Sequence, residues 1–530
     1  MSDAQVLVAS NRGPVSFALS DEGILGMRRG GGGLVSALAS VATARAGREG
    51  ATPGGPAGHG PAGHGPARDD ALWVCAALSD ADRFAARQAP DGRLDRAGHD
   101  IGGGALRMLD IPAATFKRAY NSVANSTLWF VHHLLYDTPN KPHFDAGFHR
   151  DWQSYDAYNA AFADALARDA APGARAVIQD YHLTLAPRLL RERRPDLRIG
   201  HFSHTPWAPP EYYRLLPDDI GVQVLEGILG ADHAGFLTGR WADAFLDCCD
   251  AVLGAKVDHV NRTVTHLGRV TRVGVHGLGV DGPELRLRAA EPDVTARAAA
   301  LRARVGSRQL IVRIDRTELS KNLVRGLAAY RELLVNHPEW HGRVVHLAFA
   351  YPSRFDLPEY RDYTDAVRRM ADRIVEEFGD GSWEPLILEV NDDYPRSLAA
   401  LGLADVLLVN PIRDGMNLVA KEGPVLSGHG CALVLSQEAG AAAELSEDAL
   451  MVNPYDVSQT AETLHQALLM PRDERAARCR RLAATATALP PRQWFAEQLN
   501  ALGRPGPAAR VPPGTAAASR AVRCPPAPER

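Results

Sequence analysis

Residues 410–422 constrain the fold of this chain more than any other segment. They follow an apolar run, residues 405–409, that predicts a buried strand, and they turn at Asp414 and Gly415 before a stretch typical of a helix. A strand, a tight glycine turn and a helix together present backbone N–H groups to a phosphate in α/β proteins. Asp414 and Glu422 place a carboxylate on either side of the turn. The segment therefore suits a sugar nucleotide, with the N–H groups on the pyrophosphate and the carboxylates on hydroxyls.

Short β-branched runs alternate with longer helical patterns along the chain, which predicts parallel sheets with helices on both faces. The predicted strands are residues 5–9, 176–179, 198–203, 234–237 and 271–275, then 310–314, 344–350, 386–390, 405–409, 432–435 and 450–452. The predicted fold class is α/β, with Rossmann-like domains at residues 1–280 and 281–500. We expect the join near residues 277–283, where glycine is dense, and a ligand in the cleft between the domains.

The length and the net charge of the chain limit the classes of protein to which it can belong. The chain has 530 residues, which is too many for one ordinary core, and a net charge of −4 without a basic block. Nucleic-acid scaffolds depend on clustered Lys and Arg, so we expect no nucleic-acid partner. The first residues lack a signal peptide pattern, and no apolar run approaches the roughly 20 residues that span a bilayer. A soluble, cytoplasmic protein is expected.

The six cysteines are sparse and include no CxxC pair, so neither a disulfide framework nor a zinc site is predicted. Cys248 and Cys249 are interpreted as two partly buried thiols on a helix rather than as metal ligands. Residues 54–67 repeat a Gly-Pro-Ala-Gly-His unit and predict a flexible surface insertion, although its histidines could bind a metal. Residues 503–530 are rich in Pro, Ala and Arg and predict a disordered tail.

Polar residues follow several predicted strands of the first half. Residues 10–14 and the glycine-rich residues 28–34 would let the backbone approach a phosphate or a sugar, unless they are only a tight loop. Asp180 follows the strand at 176–179 and could accept a substrate hydroxyl or cap a helix. His204 follows the next strand, and either faces the same cleft or is structural.

Two further patterns point to a bound anion and a sugar. Arg316 and Lys321 follow the strand at 310–314, and cations are poorly suited to a helix N-terminus because the helix dipole is positive there. A pyrophosphate would explain them, since charged hydrogen bonds contribute about 1.5–3 kcal/mol each; a solvated helix start is the alternative. Tyr120 and Trp129 could pack on a sugar face, although the pattern alone favours the core.

Taken together, these segments resemble the trehalose-6-phosphate synthase family, which are retaining glycosyltransferases of GT-B fold. The similarity covers residues 6–471, and the sequence Arg-Asp-Gly-Met-Asn-Leu-Val-Ala-Lys-Glu at 413–422 is close to diagnostic. The supporting segments occur in the family's order at 120–129, 180–182, 204–207, 320–321, 436–440 and 452–456.

The resemblance implies that glucose passes from a nucleotide sugar to glucose 6-phosphate with retained configuration, without a metal or another cofactor. By position, the implied acceptor residues are Arg12, Tyr120, Trp129, Asp180 and Arg354. The implied donor residues are Gly32, Gly33, Arg316, Lys321, Tyr394, Asn417, Leu418, Val419, Ala420, Lys421 and Glu422, with Arg396 as an alternative to Tyr394. Asp414 and His204 would contact the transferred glucose, and the implied catalytic set is Asp180, His204, Arg316, Lys321 and Asp414.

The chain departs from the family at three places. Gln179 stands where the family usually has His, Asn322 stands where Gly commonly follows the Lys, and Arg-Thr-Glu-Leu-Ser-Lys replaces Arg-Leu-Asp-Tyr-Ser-Lys. UDP-glucose is the family's usual donor, and GDP-glucose stays open. No phosphatase domain is expected after residue 471, so a separate enzyme would remove the phosphate.

Two alternatives compete with a synthase. One is a relative that uses another phosphorylated acceptor, such as glycerol 3-phosphate or a cyclitol phosphate. The other is an inactive regulatory homologue, which the presence of Asp414, Arg316 and Lys321 disfavours. The sequence leaves open whether the chain forms a homo-oligomer.

Overall fold

The computed structural model describes residues 4–20, 25–29, 71–99, 101 and 104–503. Gly32, Gly33, the predicted insertion at 54–67 and residues 504–530 of the predicted tail lie outside these residues. Two large sheets and a hairpin of β2 (Val15–Leu19) and β3 (Leu25–Arg29) make up the described strands.

The first sheet has nine strands in the order β5-β4-β1-β6-β7-β8-β11-β10-β9. The strands are β1 (Ala4–Ala9), β4 (Ala71–Ala76), β5 (Ala105–Leu109), β6 (Ala170–Gln179), β7 (Arg198–Ser203), β8 (His233–Phe236), β9 (Lys256–Asp258), β10 (Thr263–His266) and β11 (Arg269–Val275). All pairs from β5 to β11 are parallel, while β10 and β9 form an antiparallel edge. Without the hairpin, its first six strands follow the 3-2-1-4-5-6 order of a Rossmann fold.

The second sheet has six parallel strands in the order β14-β13-β12-β15-β16-β17, which is again 3-2-1-4-5-6. The strands are β12 (Gln309–Arg316), β13 (Val344–Tyr351), β14 (Leu386–Glu389), β15 (Val406–Val409), β16 (Ala432–Ser436) and β17 (Leu450–Val452). β12, β13, β15 and β16 are almost completely buried, as expected for parallel strands covered on both faces.

Helices connect the parallel strands in both halves. The α-helices before β12 are Asp80–Gln88, Ala113–Lys117, Trp129–His133, Ala146–Asp169, Ala186–Arg193, Pro210–Tyr213, Asp218–Leu229, Gly239–Leu253, Gly282–Ala289 and Pro292–Val305, with a π-helix at Arg118–Leu128. Those after β12 are Leu323–Asn336, Pro358–Phe378, Tyr394–Leu403, Val419–Leu426, Ala442–Leu445, Val457–Leu469, Arg472–Ala486 and Pro491–Ala501.

Every predicted strand is present, although most ends move by one or a few residues. The prediction missed the hairpin strands β2 and β3, and also β4 and β5. β4 begins and ends with alanine and β5 has a charged residue within the run, so neither has a continuous β-branched signal. It also missed β9 and β10, which are short and polar because they form the exposed edge of the first sheet. Tertiary pairing, rather than local propensity, therefore selects these strands.

The chain crosses between the sheets twice, and the two crossings pair with each other. Gly279 N donates to Leu489 O at 2.8 Å, and Val280 N donates to Ala486 O at 2.9 Å. The final helix, Pro491–Ala501, then packs on the first sheet, where the ring centroids of Trp494 and Phe202 lie 5.0 Å apart. The division at residue 280 stays a prediction, and the end of the segment assigned to the second domain lies against the first sheet.

Within the described residues, the cysteines are buried and no helix resembles a membrane span. Cys248 and Cys249 lie on Gly239–Leu253 as predicted, but they are fully rather than partly buried because that helix packs against the sheet. The five cysteines within the described ranges are unpaired. Among the helices the structure describes, none combines the length and apolar character that crossing a bilayer requires.

Candidate active site

The strand order of each sheet creates a crevice where neighbouring connections leave in opposite directions. The first crevice lies beyond the carboxyl ends of β1, β6 and β7 and includes Asp180 and His204. The second crevice lies beyond β12 and β15 and includes Arg316, Lys321 and Asp414. The residues predicted from strand ends therefore fall into two sets, one at each crevice.

The two crevices meet at Gly415. A Cβ on this residue would collide with the carbonyl oxygen of His204, so only glycine fits between the two backbones. Trp241 Nε1 donates to Gly415 O at 3.0 Å, and an Arg413 guanidinium nitrogen donates to Trp207 O at 2.9 Å. Residue 415 must be glycine because the two backbones approach each other closely here. The residue of this segment with a left-handed backbone conformation is Asn417, with φ of 74°.

Asp180 is the carboxyl group of the first crevice. It follows β6 with a φ of 75°, and its Oδ1 accepts a hydrogen bond from His204 N at 3.2 Å. The side chain does not cap the short 3₁₀ helix Tyr181–Leu183 that follows, so the helix-cap alternative is not what the structure contains. Burial raises the pKa of Asp180 to about 6, although backbone N–H groups and Arg354 oppose the shift.

His204 lies beside Asp180 as a neutral side chain. Its Nε2 is 2.8 Å from Gln179 Oε1. Burial, and to a smaller extent His201, lowers the pKa of His204 to about 3. A neutral imidazole can accept or donate a hydrogen bond to a sugar hydroxyl without carrying charge into the site.

The aromatic pair of the sequence pattern belongs to the first crevice. Tyr120 is partly exposed and stacks between Phe116 and His182, with centroid distances of 5.2 and 5.5 Å. Trp129 is buried, and it carries the Arg354 guanidinium 4.1 Å above its ring. Trp129 thus combines the core role with a contact to a predicted site residue.

Arg354 reaches this crevice from the second sheet. It follows β13 in a left-handed conformation, with φ of 49°, and its Nη2 donates to Tyr181 OH at 3.1 Å. Burial alone would lower the pKa of Arg354, but Tyr181 and Glu318 raise it overall, so the guanidinium is charged. Arg12 is exposed and close enough to His182 to lower the pKa of that imidazole, after burial and Arg354. Two guanidinium groups therefore lie near His182.

The cations of the second crevice already have carboxylate partners. Lys321 Nζ lies 2.5 Å from Asp414 Oδ2, which also accepts from Asn417 Nδ2 at 3.0 Å. Burial opposes the charge on both groups, yet their attraction raises the pKa of Lys321 and lowers that of Asp414. Arg316 Nε lies 3.3 Å from the fully buried Glu318. A pyrophosphate would therefore have to share these cations with Asp414 and Glu318.

The backbone around Lys321 explains two features of the sequence. Leu319–Lys321 form a 3₁₀ turn, and the helix begins only at Leu323, so Arg316 and Lys321 are not the start of a solvated helix. Asn322 adopts φ of 59°, a left-handed conformation that Asn tolerates better than most residues. The glycine that the resemblance implies at this position would adopt the same conformation without strain.

The helix Val419–Leu426 begins beside Asp414, but it offers fewer N–H groups than predicted. The N–H groups of Lys421 and Glu422 bond to Leu418 O at 2.9 and 2.8 Å, and Ala420 N bonds to Asn417 Oδ1 at 3.2 Å. The helical turn uses these donors internally. A phosphate at this helix is therefore left with the N–H groups of Leu418 and Val419.

Lys421 and Glu422 point to different surroundings. The Lys421 ammonium is fully buried away from Arg316 and Lys321, and donates to Leu278 O at 2.8 Å and to Glu444 Oε2 at 2.6 Å. Its side chain therefore ties the helix to the interdomain crossing, because that is where its partners lie. Burial raises the pKa of Glu422 to about 7.

Tyr394 and Arg396 lie on the rim of the second crevice. Tyr394 is 48% exposed, and Glu422 is close enough to raise its pKa, after burial. Arg396 pairs with Glu389 at 3.1 Å and with Asp393 at 3.5 Å. Tyr394 is thus free to contact a ligand, whereas Arg396 is held by two carboxylates.

Two residues that the fold brings to the site, His133 and Glu318, were not predicted from the sequence. His133 lies near Asp414 and Lys321, and burial lowers its pKa to about 3. Glu318 lies near Arg316 and Arg354, and their charges, with Lys321, lower its pKa to about 2 against the effect of burial. The acidic residue between two predicted cations was a usable signal for Glu318, while His133 carries no local signal.

One group of possible metal ligands occurs among the described residues. Ligand atoms of His337, Glu339 and His465 lie within 4.8 Å of one another at the far end of the helix Leu323–Asn336. His465 Nδ1 already accepts from Trp340 Nε1 at 3.0 Å, so its ring is held by a structural hydrogen bond. This group is separate from both crevices.

Known proteins match this architecture over most of the chain. The model of Glycosyltransferase family 20 matches residues 105–504. A trehalose-6-phosphate synthase of Mycobacterium avium is 35% identical over 414 residues, or 76% of this chain and 82% of its own length. A bifunctional trehalose-6-phosphate synthase/phosphatase of Thermoproteus tenax is 34% identical over 91% of this chain, which spans 60% of that longer protein.

Solved structures agree with the family match. An Escherichia coli protein of the trehalose-6-phosphate system bound to UDP-2-fluoro glucose has a TM-score of 0.78 at 28% identity, covering 94% of this chain and 98% of its own. A UDP-forming α,α-trehalose-phosphate synthase of Burkholderia xenovorans in complex with glucose-6-phosphate has a TM-score of 0.78 at 25% identity, covering 94% and 100%. The predicted α/β fold with two Rossmann-like domains is therefore confirmed as GT-B. The chain belongs to glycosyltransferase family 20.

Proposed function

We propose that this protein is a trehalose-6-phosphate synthase that transfers glucose, with retained configuration, from a nucleotide sugar to glucose 6-phosphate. The observation that carries the proposal is the contact between the crevices at Gly415 and His204. In this proposal Arg316 and Lys321 bind a phosphate on one side of Asp414 and His204. Arg354 supplies a cation on the other side.

The donor fits the second crevice. Arg316 and Lys321 would hold the pyrophosphate, and the charge that develops on the departing diphosphate is stabilised by these fixed cations. The backbone of Leu418 and Val419 would support the same group. Glu422 is placed to accept a ribose hydroxyl, and its near-neutral pKa keeps it able to do so above about pH 7.

The acceptor fits the first crevice. Arg354 and Arg12 would hold the sugar phosphate, while Tyr120 offers a ring face to the sugar. Asp180 would accept a hydroxyl of the acceptor. In this proposal the acceptor oxygen attacks on the face that the nucleotide leaves, and a donor phosphate oxygen takes its proton.

Relatives support this assignment of substrates. One solved relative contains UDP-2-fluoro glucose, and another contains glucose-6-phosphate. UDP-glucose is therefore the preferred donor, and GDP-glucose is the alternative. We also infer a cytoplasmic location, because that compartment holds nucleotide sugars and sugar phosphates; cell fractionation tests it.

Purified protein with glucose 6-phosphate and either UDP-glucose or GDP-glucose tests the proposal. We expect diphosphate release and trehalose 6-phosphate with UDP-glucose, identified by mass spectrometry and by its two α linkages. Product formed only with GDP-glucose would mean that the donor's base is guanine rather than uracil. Release of neither diphosphate with glucose 6-phosphate, but turnover with glycerol 3-phosphate or a cyclitol phosphate, would replace the acceptor.

A further inference from the structure

A chain of three polar side chains runs from the final helix into the first crevice. His204 Nε2 lies 2.8 Å from Gln179 Oε1, and Gln179 Nε2 donates to Gln498 Oε1 at 3.2 Å. Gln179 and Gln498 are only 0% and 3% exposed. Buried amides orient one another through such bonds, because water cannot replace a lost partner.

Three separate elements contribute to this chain. Gln179 ends β6, His204 follows β7, and Gln498 lies on the helix Pro491–Ala501. One turn earlier on the same helix face, the Trp494 ring lies 5.5 Å from the His204 ring. The final helix therefore contacts His204 through a ring and, by way of Gln179, through hydrogen bonds.

The amide oxygen of Gln179 determines which ring nitrogen of His204 carries the hydrogen. A carbonyl oxygen only accepts, so the nitrogen facing it must donate, which assigns the hydrogen to Nε2. A neutral ring then has its lone pair on Nδ1. Gln498 accepts from the Gln179 NH₂ group, so the Gln179 amide can rotate only if the buried Gln498 amide rotates with it.

We propose that Gln179 and Gln498 are positioning residues that hold His204 as its Nε2-protonated tautomer, so that Nδ1 accepts a hydrogen bond from a sugar hydroxyl. The role of Nδ1 rests on the proposed function, whereas the tautomer is a property of the unliganded protein.

The experiment uses the full chain with histidine rings labelled with ¹³C and ¹⁵N, and reads the tautomer of His204 by NMR. A His204→Asn spectrum identifies the signals by difference. We expect His204 to carry its hydrogen on Nε2, and we expect Gln498→Leu to give a mixture of tautomers and about 10-fold lower kcat, the effect of one lost hydrogen bond. Hydrogen on Nδ1 in the parent protein, or an unchanged tautomer in Gln498→Leu, would overturn the proposal.

Gln493→Leu is the matched control. Gln493 lies on the exposed face of the same helix, where its Nε2 donates only to Glu497 among the described residues, at 3.3 Å. The same chemical change there should leave both the tautomer and kcat as in the parent. A loss of kcat equal to that of Gln498→Leu would mean that the helix acts only through its packing.

Gln179→Glu and Gln179→Leu separate positioning from packing. An ionised carboxylate only accepts, so Gln179→Glu should keep the Nε2 tautomer and move the pH profile of kcat upward by raising the pKa of His204. Gln498 can rotate to offer its Nε2, which is buried and has no hydrogen-bond partner among the described residues. Gln179→Leu should lose the tautomer preference, and equal spectra for the two variants would contradict the proposal. Absence of trehalose 6-phosphate would refute the proposed function without altering these spectra.

Discussion

The two crevices share one strand order but differ in charge. The first crevice contains rings, a neutral His204 and the carboxyl of Asp180. Of its two cations, Arg12 follows β1 of the same sheet, whereas Arg354 comes from the other sheet. The second crevice carries its own cations, and each already has a carboxylate partner. The proposed acceptor site is therefore complete only when both sheets are in place, whereas the proposed donor site is complete within the second sheet but must exchange its carboxylate partners for a pyrophosphate.

Removal of the second crevice's cations is expected to have the largest effect. Arg316→Ala with Lys321→Ala should lower kcat/KM by about 10³-fold or more, because one preorganised charge partner contributes about 10²–10³. The measurement is steady-state turnover with both substrates varied, together with a circular dichroism melt. Lys256→Ala, an exposed cation on the edge strand β9, is the control.

Near-normal turnover in the double variant would mean that the pyrophosphate does not bind in the second crevice. Loss of the native melt would leave turnover uninterpretable for that variant, because Lys321→Ala also strips the buried Asp414 of its partner. Arg316→Ala alone, whose side chain is 52% exposed, then decides the question. We expect it to fold normally, because the buried Glu318 keeps the hydrogen bond from Ser353 and the nearby charge of Arg354, and to lose about 10²-fold in kcat/KM.

Disruption of the contact between the two crevices at Gly415 is expected to have the next largest effect on turnover. Gly415→Ala would push the new methyl group against His204 O and so separate the reacting parts, for which about 10²-fold in kcat is expected. Gly428→Ala is the matched control, since its φ is ordinary and no atom lies within 4 Å of the new Cβ. Equal turnover in the two variants would mean that the crevices need not touch.

The carboxyls of the two crevices should give the smallest effect, seen in pH profiles. Burial raises the pKa of Asp180 to about 6 and that of Glu422 to about 7. Each accepts a hydroxyl best as a carboxylate, so kcat/KM should fall up to about 10-fold per pH unit below about pH 7 and more steeply below about pH 6. In Glu422→Gln the acid limb should move down toward pH 6, and an unmoved limb would exclude Glu422 from donor binding.

The same carboxyls affect stability with a definite sign. Their pKa values are higher in the folded protein than in the unfolded chain, so the folded state binds protons more tightly. The contribution of these two carboxyls to the free energy of unfolding should therefore fall as the pH rises from about 4 to 7. Asp180→Asn should remove part of that fall, which denaturant titrations at pH 5 and 8 measure.

The sequence predicts which residues lie together at the carboxyl ends of the parallel strands. Parallel strands end at one edge of a sheet, so residues that follow β6 and β7 must be neighbours, and His204 N does bond to Asp180. Arg316, Lys321 and Asp414 are brought together for the same reason. The resemblance adds roles to these residues, and those roles stay predictions.

The sequence does not predict in which direction a side chain points or which distant segments the fold brings together. Lys421 lies within the predicted donor segment, yet its ammonium points to Leu278 and Glu444 because the helix buries that face. Gln498 is 319 positions from Gln179, and only the return of the final helix to the first sheet joins them. No local pattern carries such information.

The most direct test of the two-crevice account is a calorimetric titration of UDP and of glucose 6-phosphate into Lys321→Ala and Arg354→Ala. The account predicts that Lys321→Ala loses affinity for UDP and keeps that for glucose 6-phosphate, while Arg354→Ala does the reverse. Equal loss of both ligands in both natively folded variants would contradict it, because the two phosphates would then share one site.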